Sequence, residues 1–173
     1  MSKSYQIAFL AGVPATGKST YCKWLEEKHG FIHIDVENNQ TETKDELRRL
    51  VWADPNQLIE HLRTLRSNVI IDQGFVPQPE AIKYLKALKN QGVSLWWFNA
   101  GRETARKAFE MRNDEFIGED RIDVKFFDDQ MDRIENTWDS LKALFDPNIL
   151  ETLLPDMSRL DHQTIYKIMF PRP

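Results

Sequence analysis

The sequence predicts an α/β protein built on a parallel sheet with helices on both faces. Three observations carry this. Short apolar runs alternate along the chain with segments of helical period. The runs do not alternate internally; Val69-Ile70-Ile71 is an example, and unbroken apolar runs suit strands covered on both sides. The first run, Ile7-Ala8-Phe9-Leu10-Ala11, leads straight into Gly12-Val13-Pro14-Ala15-Thr16-Gly17-Lys18-Ser19-Thr20. This G-x-x-x-x-G-K-S pattern belongs where a buried strand hands over to a helix.

The elements follow in order. The first strand is expected at residues 6–11 and its helix at 18–28, stopped by Gly30. A second strand is expected at 31–35. Thr43 and Glu46 fit a capping box for a helix running toward Val51. Asp54-Pro55 opens another helix, whose apolar face is Leu58, Leu62 and Leu65. The third strand is expected at 68–72. After a turn at 74–79, a helix to Asn90 buries Ala81, Leu85 and Leu88. The fourth strand is expected at 93–98, and Gly101 separates it from a helix over 102–112. Residues 113–123 are polar and acidic and read as a loop or mobile lid. A single long helix is expected over 123–145, with Phe127, Met131, Ile134, Trp138, Leu141 and Phe145 spaced four and three apart. That stripe fits either a coiled-coil seam or a helix packed on a sheet. The last strand is expected at 149–154 and a closing helix at 158–170, with Ser158 and Asp161 at its start.

The chain of 173 residues is expected to form one domain, with the lid at 113–123. Apolar residues make up 41% and charged residues 29%, as in ordinary globular proteins, and the net charge of −4 argues against a general polyanion binder. The one cysteine, Cys22, excludes an intramolecular disulfide and reads as a packed thiol. No apolar run approaches the ~20 residues of a membrane span. No signal-peptide core stands at the N-terminus, so a cytoplasmic location is expected.

The glycine-containing loop carries the chemistry. Gly12 and Gly17 let the backbone curl so that successive N–H groups face one anion, and the helix starting near Gly17 adds its positive end. Gly12, Pro14, Ala15, Thr16, Gly17, Lys18, Ser19 and Thr20 are therefore expected to bind a nucleotide. Lys18, expected to face solvent, can reach the β- and γ-phosphates, and the Ser19 hydroxyl can ligate Mg²⁺. In parallel sheets ligands sit beyond the carboxyl ends of the strands, which groups this loop with Asp35, Asp72 and residues 99–102. Asp72 suits a metal ligand through water, or a cap for the turn at Gly74. Asp35 can deprotonate an acceptor hydroxyl, with Glu37 as a substitute, or can cap a turn. His33 reads as packed. Arg102, Arg106, Arg112 and Arg121 offer positive charge over a transferring phosphoryl group, with Arg106 and Arg112 the leading pair and Arg102 assigned to the nucleotide. A solvated helix face paired with Glu103 and Glu110 is the alternative. Arg102 and Arg106 share a helix face, from which Arg112 is rotated away. Arg48, Arg49, Arg63 and Arg66 fit either a solvated face or contacts to an anionic acceptor.

The loop is similar to the G-x-P-x-x-G-K-S/T loop of the small P-loop kinases, which include shikimate and gluconate kinases, zeta-toxin-like kinases and polynucleotide kinase. Val69-Ile70-Ile71-Asp72 resembles their third strand, and Arg102 through Arg112 their arginine-bearing lid helix. The resemblance implies a P-loop NTPase three-layer sandwich, with five parallel strands in the order 2-3-1-4-5. It also implies an ATP donor with Mg²⁺, a hydroxyl acceptor and an acceptor-side acid matching Asp35. The sequence departs from the family in lacking an Asp-x-Asp in the second strand and in its acidic lid. The absence of an N-K-x-D motif points to ATP rather than GTP. Three readings remain at this level. They are a kinase for a small polar metabolite, a polynucleotide 5′-hydroxyl kinase, and a nucleotide-dependent switch docking a partner through the 127–145 stripe. Nucleic acid and membrane are not the favoured partners.

Overall fold

The computed structural model describes residues 5–37, 42–51, 53–74, 77–115 and 122–171. Its strands are β1 (Ile7–Gly12), β2 (Ile32–Asp35), β3 (Val69–Asp72), β4 (Ser94–Asn99) and β5 (Ile149–Glu151). They form one sheet in the order β2-β3-β1-β4-β5, and every neighbouring pair is parallel. The helices are α1 (Lys18–His29), α2 (Glu42–Leu50), α3 (Pro55–Thr64), α4 (Pro79–Asn90), α5 (Arg102–Asp114), α6 (Val124–Asn136), α7 (Trp138–Phe145) and α8 (His162–Met169).

Successive residues of a strand point to opposite faces, and the two cores divide accordingly. Phe9, Ala11, Ile71, Leu95 and Trp97 face a larger core with α2 through α7. Ala8, Leu10, Ile70, Trp96 and Phe98 face a smaller one with Tyr21, Cys22 and Leu25 of α1 and Ile165 and Met169 of α8. This is why the strands read as unbroken apolar runs. Each fully buried large side chain, such as Phe109 or Phe127, contributes about 1.5–3 kcal/mol relative to exposure.

The 123–145 segment is not one helix. It breaks at Thr137, whose φ of −116° leaves the helical region and whose hydroxyl donates to Arg133 O at 2.7 Å. A threonine hydroxyl bonded back to the preceding turn competes with helix propagation. The apolar stripe is nonetheless buried in the larger core at Phe127, Met131, Ile134, Leu141 and Phe145, so it packs rather than forming a free seam. β5 ends at Glu151, three residues early, and α8 starts at His162, where the Asp161 carboxylate accepts from Thr164 N at 2.9 Å. At the other predicted caps, Gly30 closes α1 in the left-handed region, and Asp54 accepts from Asn56 N and Gln57 N at the start of α3. The Thr43 side chain lies outside the described residues.

Candidate active site

The turn after β1 is shaped by close approach and unusual backbone angles. Gly12 has φ +152°, and a Cβ there would stand 2.2 Å from Phe98 O. Val13 N donates to that same carbonyl at 2.9 Å, which locks the loop onto β4. Ala15 lies in the left-handed region at φ 63°, an uncommon conformation for a residue with a Cβ. Thr16 is buried and its hydroxyl donates to Val13 O at 2.7 Å. Gly17, at φ 90°, is the N-cap of α1 and has no side chain to occupy the first-turn N–H groups. They are directed at whatever anion the loop holds. Pro14 is half-buried, and Ser19 and Thr20 are exposed at the mouth.

Lys18 departs from the expectation of a solvent-facing side chain. It is 9% exposed, and Nζ donates to Gly12 O at 3.3 Å and Val13 O at 3.1 Å. Burial lowers its pKa, and the negative charges of Asp72 and Glu37 act in the opposite sense. The ammonium is thus stored against the loop's own carbonyls, close to where a phosphate oxygen would bind.

Asp35 and Asp72 end adjacent strands in direct register, and both are buried. The parallel pairing of β2 with β3 puts them on one face of the sheet, the face of α1. Asp35 Oδ1 accepts from Glu37 N at 3.0 Å, so this aspartate also holds its own turn. Glu37 Oε1 accepts from Gly74 N at 3.0 Å, binding the turn after β3 to the turn after β2. Glu37 as a residue is exposed, but its carboxyl is desolvated and is held above the usual carboxylate range, with Lys18 and the Gly74 N–H pulling the other way. His33, two residues before Asp35, is buried as expected and lies 3.6 Å from Asp72 through Nε2.

The arginines of α5 divide. Arg102 pairs with Asp132 at 2.7 Å, Glu135 at 2.8 Å and Asp128 at 3.4 Å, all on α6. Arg106 pairs with Glu110 at 3.1 Å and Asp128 at 3.4 Å. The structure therefore does not bring Arg102 and Arg106 to the phosphate loop, because the acids of α6 hold their shared face. Arg112, rotated off that face, borders the cavity beside the loop, with Cζ 5.4 Å above the Phe109 ring. Desolvation holds Arg112 below the usual arginine value, Arg159 adds to this and Glu37 opposes it. Arg121 and most of the 113–123 lid lie outside the described residues. Its ends are pinned by Asn113, which donates to Ile122 O at 2.7 Å and accepts from Ile122 N at 2.9 Å. Of the basic residues before β3, Arg48 pairs with Asp45 and Arg63 donates to Gln91 O at 3.1 Å.

A cavity of about 440 Å³ opens beside the loop, within the usual size of a small-ligand site. The phosphate loop, Arg112 of α5, and Thr152, Met157, Arg159 and His162 border it.

A family model described as AAA domain matches residues 7–147. The chain belongs to this AAA domain family. A search of curated proteins returned no match. Among solved structures, the chain is similar to a shikimate kinase from Acinetobacter baumannii in complex with shikimate, at 13% identity and a TM-score of 0.56, covering 95% of this chain and 93% of that one. It is similar to a gluconokinase from Sinorhizobium meliloti 1021 at 11% identity and a TM-score of 0.53, covering 96% and 91%. A tunicamycin resistance protein from Deinococcus radiodurans matches at 15% identity and a TM-score of 0.54, covering 96% and 94%. At these identities the likeness is one of fold, and that fold is the small P-loop kinase fold implied by the loop.

The family match ends before residues 152–161, a part of the site that the sequence reading missed. Arg159 Nη2 donates to Ala15 O at 3.1 Å, and Nη1 would lie 3.0 Å from a Cβ on Gly17. Thr152 Oγ1 donates to Thr16 O at 3.3 Å. A bridge between Leu153 and Arg159 folds the segment back so that it straps the loop. The signal was available. The carboxyl-end rule that selected Asp35 and Asp72 applies equally to the residues after β5, and an arginine there was a candidate.

Proposed function

We propose that this AAA domain is an ATP-dependent phosphotransferase that moves the γ-phosphoryl group to a hydroxyl of a small polar metabolite. The observation carrying this reading is that Lys18 borders the cavity and also feels the charges of Asp72 and Glu37. On one side lie the loop, Arg112, Arg159 and the cavity, a cationic enclosure for a nucleotide. On the other lie Asp35 and Glu37, joined by a hydrogen bond, on the turn after β2. Phosphoryl transfer needs positioning and charge neutralisation on one side and an oriented acceptor on the other.

In this reading the amides of 12–18 cradle the phosphates, and Lys18 exchanges Gly12 O and Val13 O for phosphate oxygens. Arg112 and Arg159 neutralise charge, with Arg112 closing from α5. Ser19 and Asp72 suit Mg²⁺, since an exposed hydroxyl at the loop mouth and a buried carboxylate oxygen without a partner supply oxygen ligands. When bound, that ion offsets charge on the phosphates. Asp35 takes the proton of the acceptor hydroxyl, and Glu37 is the substitute base. Asp35, Glu37 and Asp72 make the acceptor side acidic, which weighs against a polyanionic nucleic-acid strand. In this reading the protein works as one domain, with 113–123 as the lid, in the cytoplasm.

The test is transfer of radiolabel from ATP to sugars, hydroxy acids, nucleosides and 5′-hydroxyl oligonucleotides at low and moderate salt. Labelling of a small polar compound, insensitive to salt, is expected. Preferential labelling of oligonucleotides, suppressed by salt, replaces this reading with a polynucleotide kinase. Hydrolysis that no acceptor stimulates replaces it with a nucleotide-dependent switch.

A further inference from the structure

Behind the phosphate loop, under α1, three ligand-bearing side chains meet: Cys22 of α1, His33 of β2 and Asp72 of β3. Cys22 is 0% exposed, Asp72 2% and His33 4%. Their ligand atoms all lie within 4.8 Å of one another. His33 Nε2 and Asp72 Oδ2 are both buried without a hydrogen-bond partner. A buried polar atom left unpaired costs about 1–3 kcal/mol, so two facing each other call for an explanation. Their separation of 3.6 Å is beyond a hydrogen bond. It is close to the edge of a tetrahedron around zinc, where nitrogen and oxygen ligands about 2.0–2.1 Å from the metal stand roughly 3.3–3.4 Å apart.

We propose that Cys22, His33 and Asp72 form a three-ligand site for a zinc-class transition-metal ion, whose binding withdraws Asp72 from nucleotide turnover. The donor set selects the metal. A thiolate and an imidazole suit zinc and its neighbours and not magnesium, which prefers oxygen. The charges balance, since thiolate and carboxylate together match a dication and the imidazole binds neutral. Binding displaces the thiol proton of Cys22 to solvent, so about one proton is released per ion. A fourth position is left for water, as in three-ligand zinc sites. Lys18 is the nearby opposing charge, and its bonds to Gly12 O and Val13 O hold the ammonium on the loop side. The effect on turnover rests on the phosphotransferase reading, in which Asp72 serves Mg²⁺; the binding itself does not.

The experiment titrates the nucleotide-free full chain with Co²⁺, then with Zn²⁺ in competition with a chromophoric chelator. One equivalent of Co²⁺ should give a near-ultraviolet thiolate-to-cobalt band. Cys22→Ser should abolish the band and weaken zinc by at least ~10-fold, and His33→Gln should weaken it comparably. Far-ultraviolet circular dichroism confirms that each variant is folded; if one is not, the other decides. Calorimetry in two buffers of different ionisation enthalpy reads the released proton. Cobalt bound without the band, or zinc affinity unchanged in both folded variants, overturns the site. For turnover, zinc should inhibit the wild type and spare Cys22→Ser, whose rate with chelator present should equal that of wild type. Tight zinc binding without inhibition overturns the regulatory half. A protein that never turns over ATP fails the phosphotransferase reading while the cobalt band still decides the site.

Discussion

Lys18 keeps its ammonium buried on two backbone carbonyls, and this sets what its removal should do. Lys18→Ala loses two charge-assisted bonds but also relieves the desolvation that lowers the lysine pKa. The two effects offset, so the melting temperature should stay within about 4 °C of wild type, equivalent to ~1 kcal/mol. Turnover should fall by about 10²–10³, the scale of losing one pre-positioned charge-stabilising donor. Steady-state kinetics and a melting curve on the same preparation check both; wild-type turnover in a folded variant removes the loop from the mechanism. The two aspartates should separate. Asp35→Asn should lower transfer to the acceptor by about 10² or more while leaving Mg²⁺–ATP affinity intact. Asp72→Asn should instead raise the Mg²⁺ concentration needed for half-maximal rate. If Asp35→Asn transfers normally, Glu37, whose carboxyl is already held above the usual range, becomes the base.

At the scale of elements, α5 turns one face to α6 and another to the loop. Arg102 and Arg106 are committed to the acids of α6 and to Glu110 and are partly exposed, so their network is worth little to stability and nothing directly to the phosphates. Arg102→Ala and Arg106→Ala should each leave the rate within about twofold and cost at most ~1 kcal/mol. Arg112→Ala and Arg159→Ala should each weaken nucleotide binding by about tenfold, the effect of roughly 1.4 kcal/mol. Equilibrium binding of a fluorescent ATP analogue separates the two pairs; equal losses in all four would mean that α5 shifts when nucleotide binds. The sequence alone placed Arg112 off the shared face of Arg102 and Arg106, because six residues is not a helical repeat. It could not say which face met the loop, since that depends on where α6 lies. The acids of α6 at 128, 132 and 135 follow a helical spacing, but their pairing with α5 is tertiary and no local pattern specifies it. The carboxyl-end rule pointed to the residues after β5, but not to their folding back as a strap at 152–161, whose only regular feature is one bridge and whose contacts are with residues more than a hundred positions away.

Over the whole molecule, what could be read in advance was whatever a strand or helix period records. The five strands, the helix caps at Gly30, Asp54 and Asp161 and the carboxyl-end cluster of Lys18, Asp35 and Asp72 follow from such patterns, together with the resemblance that implied the strand order. The burial of Lys18 and the break at Thr137 do not, since each depends on one side chain choosing a nearby carbonyl over solvent. The same architecture predicts how the chain comes apart. The strands β1, β3 and β4 carry side chains into both cores, so neither face can open while the other stays packed. Trp97 is fully buried in the larger core, and Cys22 is fully buried on the opposite face. Trp97→Ala should cost about 3–5 kcal/mol, which lowers the melting temperature by about 6–20 °C. If the chain unfolds as one unit, the same loss should speed labelling of Cys22 by a thiol reagent about 10²–10⁴-fold, although Cys22 never touches Trp97. Labelling rates measured with chelator present, beside near- and far-ultraviolet melting curves, make the comparison. Coincident melting curves and faster labelling fit one cooperative domain. An unchanged Cys22 rate in a variant whose larger core has melted would divide the chain into separately unfolding halves and end the single-domain reading.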